Sequence, residues 1–309
     1  MRMNGTALAF QAIAAPGRAA DSKETGMHIV VCIKQVPDSA QIRIHPVTNT
    51  IMRQGVPAII NPFDLFSLEE ALRIKDKVGA RVTVLTMGPP MAETSLRKAL
   101  SLGADDAVLL TDRKFAGSDT LATSYALTSA ILKLSEEDPV DLVFCGKQTV
   151  DGDTAQVGPG IATRLGFQQL TYITKIEDLN LDAKEIVVQR RAEGGVQVLK
   201  TKLPCMITML EGTNTIRFGK MDDLFRAARY PLKTWSKDTT GAEETKVGLK
   251  GSPTVVSKVF VPKPLAQKAT MIEAEGGTPE ALASAAVEAI FGAQPKLADD
   301  LLARAAAGL

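Results

Sequence analysis

Residues 141–158, which read DLVFCGKQTVDGDTAQVG, decide the fold of this chain. The segment Asp141–Cys145 is a short apolar run, as expected for a strand that is buried on both faces. Glycines and polar residues follow, and the pattern predicts a helix that begins near Asp153 or Thr154. A buried strand, a loop and a helix in this order form the repeating unit of a parallel sheet.

The same unit recurs before this stretch. Apolar runs of the same kind occur at His28–Ile33, Arg81–Leu85 and Ala107–Leu110. Amphipathic helical patterns lie between the runs, at Leu65–Val78, Met91–Leu102 and Thr120–Leu134. Strands that alternate with helices imply right-handed crossovers, so the predicted fold class is α/β with a doubly wound parallel sheet.

The sequence pattern changes near Gln169, from alternating strands and helices to consecutive strands. Strand-like runs LTYITKIEDL, EIVVQRRAEGGVQVLKT and PCMITML are joined by turn signals, including Glu193-Gly194-Gly195. They predict a small antiparallel addition, at least a hairpin, that shares the core of the parallel sheet.

Three regions are expected along the chain. Residues 1–26 are interpreted as a disordered extension or an over-long start, and residues 27–228 as an α/β domain with the antiparallel hairpin. Residues 229–309 are polar and interrupted by prolines, which predicts an extended arm, and Thr278-Pro279 predicts the start of a last helix. An isolated arm cannot bury its apolar side, so we expect it to contact a partner subunit; the alternative is a flexible tail.

Composition excludes several classes of protein. The formal net charge is +1, which argues against nucleic acid as the main partner. No apolar run approaches the roughly 20 residues of a membrane span, so the chain is not expected to be membrane-embedded. Its three cysteines form no CxxC pair, which fits a cytoplasmic protein without a disulfide framework. We expect no metal site, and neither His28 nor His45 is expected to be catalytic.

Ligands of a doubly wound sheet bind at the carboxyl ends of its strands, where this sequence places four loops: 32–38, 61–64, 86–90 and 146–158. The fourth loop contains three glycines and several hydroxyl and amide donors at a predicted helix start, which favours a phosphate. The alternative is an ordinary capped loop without a ligand. No G-x-G-x-x-G or G-x-x-x-x-G-K-[ST] motif is present, which argues against a standard Rossmann dehydrogenase or a P-loop ATPase.

Two carboxylates complicate this interpretation of the fourth loop. Asp151 and Asp153 would repel a phosphate, so we assign them to helix capping or to ribose hydroxyls. The third loop, Gly88-Pro89-Pro90, either presents its backbone to an adenine edge or is a plain turn.

Together the four loops resemble the β subunit of electron-transfer flavoproteins. The similarity runs from Met27 to about Phe225 and depends on segments in the family's order: CIKQVPD, NPFDLFSLEEALRIK, TMGPPMAETSLRKALSLGADDAVLL, DLVFCGKQTVDGDTAQVGP and EGGVQVLKTKLPCMIT. The resemblance implies a heterodimer with an α subunit that carries a redox FAD, and an adenine nucleotide held by this chain. It implies no catalytic side chain, because the cofactor does the redox chemistry.

The resemblance also implies which residues contact the nucleotide. Carried over by position, these are Cys32, Asn61, Pro62, Phe63, Asp64, Met87, Gly146, Lys147, Gln148, Thr149, Val150, Asp151, Gly152, Asp153, Thr154, Ala155, Gln156 and Val157. Cys32 and Met87 are expected to contribute their backbone.

Most members of the family hold a structural AMP, whereas an electron-bifurcating branch holds a second FAD that is reduced by NADH. The runs VDGDTAQVGP and KVGLKGSPTVVSKVF resemble the bifurcating branch. The AMP type tends to carry an acidic residue in place of Gly152, and Asn-Gln-Thr in place of Ala155-Gln156-Val157. We therefore favour FAD with NAD(H) as electron donor, and AMP is the alternative.

Partners are likewise implied by the resemblance. The hairpin residues Gly195, Val196 and Leu199 match the segment expected to dock onto a flavin dehydrogenase of the acyl-CoA type; a quinone reductase is a further acceptor, and ferredoxin a candidate low-potential acceptor. Val196 replaces a common leucine anchor, which weakens the dehydrogenase assignment.

The rival hypotheses are a stand-alone ATP-binding stress-type module and an ATP-pyrophosphatase-type enzyme. The latter would need Ser-Gly-Gly-x-Asp-Ser after the first strand, where this chain has Lys34-Gln35-Val36-Pro37-Asp38-Ser39.

Overall fold

The computed structural model of the chain describes residues 26–38, 43–44, 51–52, 57–255, 271–274 and 277–306. The chain divides into two compact units, Met1–Val259 and Phe260–Leu309. The expectations for residues 1–25 and for His45 lie outside the described residues.

Thirteen strands are formed by the described residues: β1 His28–Cys32, β2 Gln35–Pro37, β3 Arg43–Ile44, β4 Ile51–Met52, β5 Ala58–Ile60, β6 Arg81–Met87, β7 Asp106–Leu110, β8 Leu142–Gly146, β9 Gln168–Asn180, β10 Glu185–Ala192, β11 Gly195–Lys202, β12 Cys205–Met209 and β13 Lys233–Trp235. The helices are α1 Pro62–Val78, α2 Glu93–Ser101, α3 Thr120–Glu137, α4 Val157–Leu165, α5 Met221–Arg229, α6 Pro279–Ala293 and α7 Pro295–Ala306. Of these helices, α6 and α7 belong to the second unit. Among the described residues, no helix is both long and apolar enough to cross a bilayer.

Nine strands form one sheet in the order β11-β10-β9-β12-β8-β1-β6-β7-β13. In the part of this order that runs β9-β12-β8-β1-β6-β7-β13, every pair of neighbouring strands is parallel. Strand β10 pairs antiparallel with both β9 and β11. The predicted fold class, a doubly wound parallel sheet with an antiparallel addition, is confirmed.

Residues 29–32 of the central strand β1 are apolar and buried, and helices cover both faces of the sheet. In β1, Ile29 and Val31 pack in one hydrophobic cluster, and Val30 and Cys32 pack in the other. The first cluster includes residues of α1 and α2, and the second includes residues of α3 and α4. Successive side chains of a strand point to opposite faces, so an unbroken apolar run fits only between two layers of helices.

The run PCMITML was expected in the antiparallel addition, and this expectation is wrong. Strand β12 lies between β8 and β9 and pairs in parallel with both. All five of its residues are buried, which suits a central position rather than an edge. The antiparallel meander therefore consists of β9, β10 and β11, and the predicted turn at Glu193-Gly194 joins the last two.

Residues 229–255 belong to the same compact unit as the sheet instead of leaving it. Strand β13 pairs in parallel with β7, and Trp235, Ala242 and Val247 are buried in the second cluster. The boundary expected at residue 228 thus differs from the division at residue 259. The buried residues are too widely spaced to show a period of 2 or 3.6, so the segment looked unstructured. The predicted N-cap of α6 is confirmed, because the Thr278 hydroxyl accepts a hydrogen bond from the N–H of Ala281 at 3.3 Å.

Candidate functional site

A crevice is expected where neighbouring parallel strands send their connections to opposite faces of the sheet. Strands β1 and β8 are such neighbours. The chain after β1 leads to α1, whose Leu68 packs in the first cluster, whereas the chain after β8 leads to α4, whose Ile161 packs in the second. Ligands of open α/β sheets bind at such a switch point.

Asp64 joins three of the chain segments at this crevice. Its Oδ2 accepts a hydrogen bond from the N–H of Lys34 at 2.7 Å, and its Oδ1 accepts one from the N–H of Gly146 at 3.1 Å. Burial raises the pKa of Asp64 to about 7, although both hydrogen bonds act to lower it. The carboxyl group therefore holds the first, second and fourth loops together.

Asn61 makes a second connection between the loops. This buried side chain donates from Nδ2 to the carbonyl of Gln148 at 2.9 Å and accepts at Oδ1 from the N–H of Val150 at 3.2 Å. Further along α1, the Ser67 hydroxyl donates to the carbonyl of Cys145 at 2.6 Å. The structure thus brings the predicted residues 61–64 and 146–150 together.

Gly146 is the point at which α1 approaches the fourth loop most closely. A Cβ atom at this position would lie 2.7 Å from the Cβ of Phe63 and would also contact the carboxylate of Asp64. Such distances are shorter than side chains tolerate, so the close approach of the two backbones requires glycine.

The two carboxylates of the fourth loop are paired within the loop region. Asp151 Oδ1 lies 2.7 Å from Lys34 Nζ, and Asp153 accepts a hydrogen bond from the Gln148 amide. Helix α4 begins at Val157 after an N-cap, Gln156, that makes no side-chain capping bond. The capping role expected for the two aspartates is therefore wrong.

The start of α4 also lies later than the sequence pattern predicted. Asp153 and Ala155 adopt positive φ angles of 50° and 56°, which a right-handed helix excludes. Neither the N–H of Thr154 nor that of Ala155 donates to an acceptor among the described residues. The first N–H groups of any α-helix are open as well. The N–H of Gln156 donates to the Thr154 hydroxyl at 3.5 Å, so the unpaired donors of this segment are those of Thr154, Ala155, Val157 and Gly158.

The other predicted contacts lie around the same sheet edge. Met87 ends β6 and is half-buried against the second cluster, and the N–H of Gly88 donates to the carbonyl of Leu110 at 3.1 Å. Cys32 ends β1, and its side chain is buried. A hydrogen bond with Cys32, together with burial, raises the pKa of Cys145 well above its usual value, so this thiol stays protonated.

Sequence reasoning missed a cleft of about 350 Å³ beside the fourth loop. Lys147, Ala155 and Gln156 line it on one side, and residues of β9, β10 and β12 line the other side, among them Arg190 of β10. No local signal could have identified it, because the cleft exists only where β12 places the meander next to β8.

The predicted docking residues lie on the outermost strand of the meander. Gly195 and Val196 are exposed at the start of β11, whereas Leu199 is half-buried against the first cluster. A larger exposed apolar surface, which we call the α5 surface, was not predicted. It comprises Phe218, Met221, Leu224 and Phe225, and Phe218 is 96% exposed.

His28 lies at the other end of β1 from the four loops. Its Nε2 is 2.9 Å from the Thr83 hydroxyl, and its Nδ1 is 3.0 Å from the carbonyl of Asp138. Burial lowers the pKa of His28, which keeps the ring neutral. The contacts account for this histidine as part of the core.

The sheet, its switch point and the paired loops define a doubly wound α/β protein of the kind that carries ligands at the carboxyl edge of its strands. Comparison with known proteins gives the family. Residues 48–239 match the family model described as "Electron transfer flavoprotein domain". The chain belongs to the electron-transfer flavoprotein family and is of the β-subunit type.

Its relatives cover most of the chain. The "Protein FixA" of Azotobacter vinelandii is 66% identical over 280 residues, which is 90% of this chain and 100% of that protein. The "Protein FixA" of Azorhizobium caulinodans is 64% identical over 281 residues, or 90% of this chain and 99% of that protein. The "Electron transfer flavoprotein subunit beta" of Clostridium acetobutylicum is 48% identical over 232 residues, or 75% of this chain and 87% of that protein.

Proposed function

We propose that this chain is the β subunit of a heterodimeric electron-transfer flavoprotein and holds an adenine nucleotide, FAD, at the switch point. In this proposal electrons pass from NADH through the FAD of the α subunit to a dehydrogenase or quinone reductase, with a second, low-potential acceptor such as ferredoxin. The observation that carries the proposal is the set of unpaired N–H donors at Thr154, Ala155, Val157 and Gly158, in a loop whose carboxylates are already paired.

The residues at the switch point fit an adenylate group. Open N–H groups at a helix start bind phosphate, and the helix dipole adds to the attraction. Lys34 offsets the charge of Asp151, and Gln148 occupies an oxygen of Asp153, so the repulsion expected from these carboxylates is reduced. Left-handed φ at Asp153 and Ala155 costs about 1–2 kcal/mol each, and such strain is common where a loop is shaped for a ligand.

The role of the protein in this proposal is to position the nucleotide. A bound flavin would supply the one- and two-electron chemistry. Asn61 and Asp64 fix the loops that surround the nucleotide, and Gly146 allows their close approach. Asp64 is enclosed by backbone donors and therefore acts through position rather than as an acid or base.

Two features favour FAD over the alternative, AMP. Gly152 and Ala155 replace larger polar side chains of the AMP-binding type, and Ala155 also lines the adjoining cleft. The nucleotide therefore has space beyond its first phosphate. The alternative remains a non-bifurcating β subunit with structural AMP.

Purifying the chain together with its α-type partner tests the proposal. We expect two FAD per heterodimer, no released AMP, and oxidation of NADH that reduces both flavins. One FAD with one AMP, and no NADH oxidation, would reject the FAD assignment and leave the AMP type. A heterodimer without flavin would reject the carrier function itself. A stable, ATP-binding homodimer of the isolated chain would instead support the stress-type module.

A further inference from the structure

The cleft beside the fourth loop contains two positively charged side chains and no carboxylate. It measures about 350 Å³, and residues of the fourth loop, α4, β9, β10 and β12 form its walls. Its lining consists of Lys147, Ala155, Gln156, Pro159, Gln169, Thr171, Tyr172, Arg190 and Thr208. A cleft with two cationic side chains and no carboxylate is suited to an anionic ligand.

Of the two cationic side chains, Arg190 gives the stronger evidence for a bound anion. Its Nε atom is buried and has no hydrogen-bond partner, and its guanidinium makes no ion pair with any described residue. Buried polar atoms are nearly always paired in folded proteins, and a charged donor is among the least favourable to leave alone. The missing acceptor is therefore expected from outside the chain.

Lys147 provides the second charge. Its Nζ lies 5.7 Å from the ring centre of Phe63 and 5.6 Å from that of Tyr172, which holds the ammonium group in place. Its side chain forms no ion pair with any carboxylate in the part of the chain that the structure describes. Two unpaired cations that line one cleft repel each other, and an anion bound between them would offset this repulsion.

Neutral donors and a strained residue complete the wall. Gln156, Gln169, Thr171 and Thr208 provide amide and hydroxyl groups. Tyr172 has a φ of 60°, and its N–H donates to the Thr208 hydroxyl oxygen at 3.2 Å. Left-handed backbone at a residue other than glycine is often found where a site is shaped for a ligand.

We infer that this cleft binds the diphosphate group of a dinucleotide, with Arg190 and Lys147 as its cationic contacts. The inference rests on the proposed function, because Ala155 belongs to both the cleft and the set of unpaired N–H donors. A planar guanidinium matches two phosphate oxygens at once, and a second cation suits the second phosphate. The diphosphate can come from FAD whose adenylate end lies on the fourth loop, or from NADH.

The inference is tested by measuring nucleotide affinity in a heterodimer whose α subunit keeps its FAD and whose site on this chain has been emptied. The variants are Arg190→Gln, Lys147→Gln and the conservative Arg190→Lys, and the probes are FAD, NADH and AMP. The matched control is Arg191→Gln, since Arg191 is the neighbouring, exposed residue of β10 and does not line the cleft. We expect each glutamine variant to raise the Kd of one dinucleotide about 10-fold or more, because a charge-assisted hydrogen bond is lost.

The pattern of effects identifies the source of the diphosphate. A raised Kd for FAD assigns the cleft to FAD, and a raised Kd for NADH alone assigns it to the electron donor. In either case the Kd of AMP should stay within about 2-fold, Arg190→Lys should recover part of the loss, and Arg191→Gln should match the unchanged protein.

Three results would overturn the inference. The first is an unchanged Kd for both dinucleotides, and the second is an equal loss of AMP binding, which would indicate a distorted loop. The third is failure of the variants to associate with the α-type partner, which would assign the two cations to an acidic protein surface. If the site of this chain binds AMP but no dinucleotide while the heterodimer, with FAD in its α subunit, still transfers electrons, the inference fails and the carrier function stands. A heterodimer without flavin rejects both.

Discussion

At the scale of single residues, Asp64 and Gly146 show how two side-chain choices shape the switch point. The carboxylate of Asp64 accepts hydrogen bonds from two loops, and Gly146 allows one of those loops to reach it. Neither residue needs to contact a ligand to control the site. Both can be tested by measuring the free energy of unfolding of variants.

Gly146→Ala should destabilise the protein by about 1–3 kcal/mol and weaken nucleotide binding, because the new methyl group meets Phe63 and Asp64. Urea unfolding and nucleotide titration measure the two effects. Gly195→Ala is the control, since no atom lies within 4 Å of its added Cβ. Equal effects of the two variants would show that the close approach at Gly146 is unimportant.

Asp64→Asn should change how stability depends on pH. The pKa of Asp64 is about 7 in the folded protein and 3.8 as the reference for the unfolded chain. Between these values the folded state binds more protons, so the unchanged protein loses stability as the pH rises from about 4 to 7. The variant lacks this loss.

The measurement is the free energy of unfolding in urea at several pH values. Groups common to both proteins, such as His28, cancel when the two curves are subtracted. The free energy of unfolding of the unchanged protein minus that of Asp64→Asn should fall from pH 4 to 7 and stay constant above about 7. The altered hydrogen bonds add an offset to this value that does not depend on pH. A difference that is independent of pH across this window would contradict the pKa of Asp64.

At the scale of elements, β13 shows that pairing can recruit a segment without a periodic pattern. Three residues pair with β7 at the sheet edge, and Trp235 is the buried residue of this strand. Helix α5 is fixed in a comparable way, because Arg226 Nη2 donates to the carbonyl of Ala104 at 2.7 Å. Such elements are held by contacts distant in sequence, so their own residues carry little signal.

Trp235→Ala should lower the free energy of unfolding by about 3 kcal/mol, because it leaves a cavity in the second cluster. Thr234→Ala, an exposed neighbour on the same strand, should change it by less than about 0.5 kcal/mol. Urea unfolding measures both. Equal, small effects would mean that residues 233–235 contribute nothing to the sheet.

At the scale of the whole molecule, two exposed apolar surfaces are available for contact with another protein. The hairpin around Val196 is the one implied by resemblance, and the α5 surface is the one with more exposed apolar side chains. Large exposed apolar patches on folded proteins commonly mark interaction sites. Under the proposed function, the two surfaces can be compared by their effects on electron transfer.

If the α5 surface contacts the acceptor in the proposed electron transfer, replacing Phe218 and Met221 by serine should slow that transfer about 10-fold or more, since hydrophobic anchors dominate docking. Val196→Ser should have a smaller effect, and Leu181→Ser, at another exposed apolar residue, should have none. Rates are measured with the intact heterodimer, and its flavin content is checked for each variant. If Val196→Ser slows electron transfer more than the double serine variant does, the hairpin is the more important contact surface.

The sequence by itself determined the fold class, the family and most of the loops. Unbroken apolar runs such as His28–Ile33 predict strands buried on both faces, because no half-exposed strand tolerates them. The loop after β8 was identifiable because its glycines and polar residues lie in one continuous segment. Local patterns of this kind depend only on neighbours along the chain.

The tertiary structure alone decided the position of β12, the extent of the sheet beyond residue 228 and the cleft at Arg190. It also paired Asp151 with Lys34, which removed the need for a capping role. These features join residues from distant parts of the sequence. Their contacts form only when the sheet is assembled, so no pattern within a single segment could have revealed them.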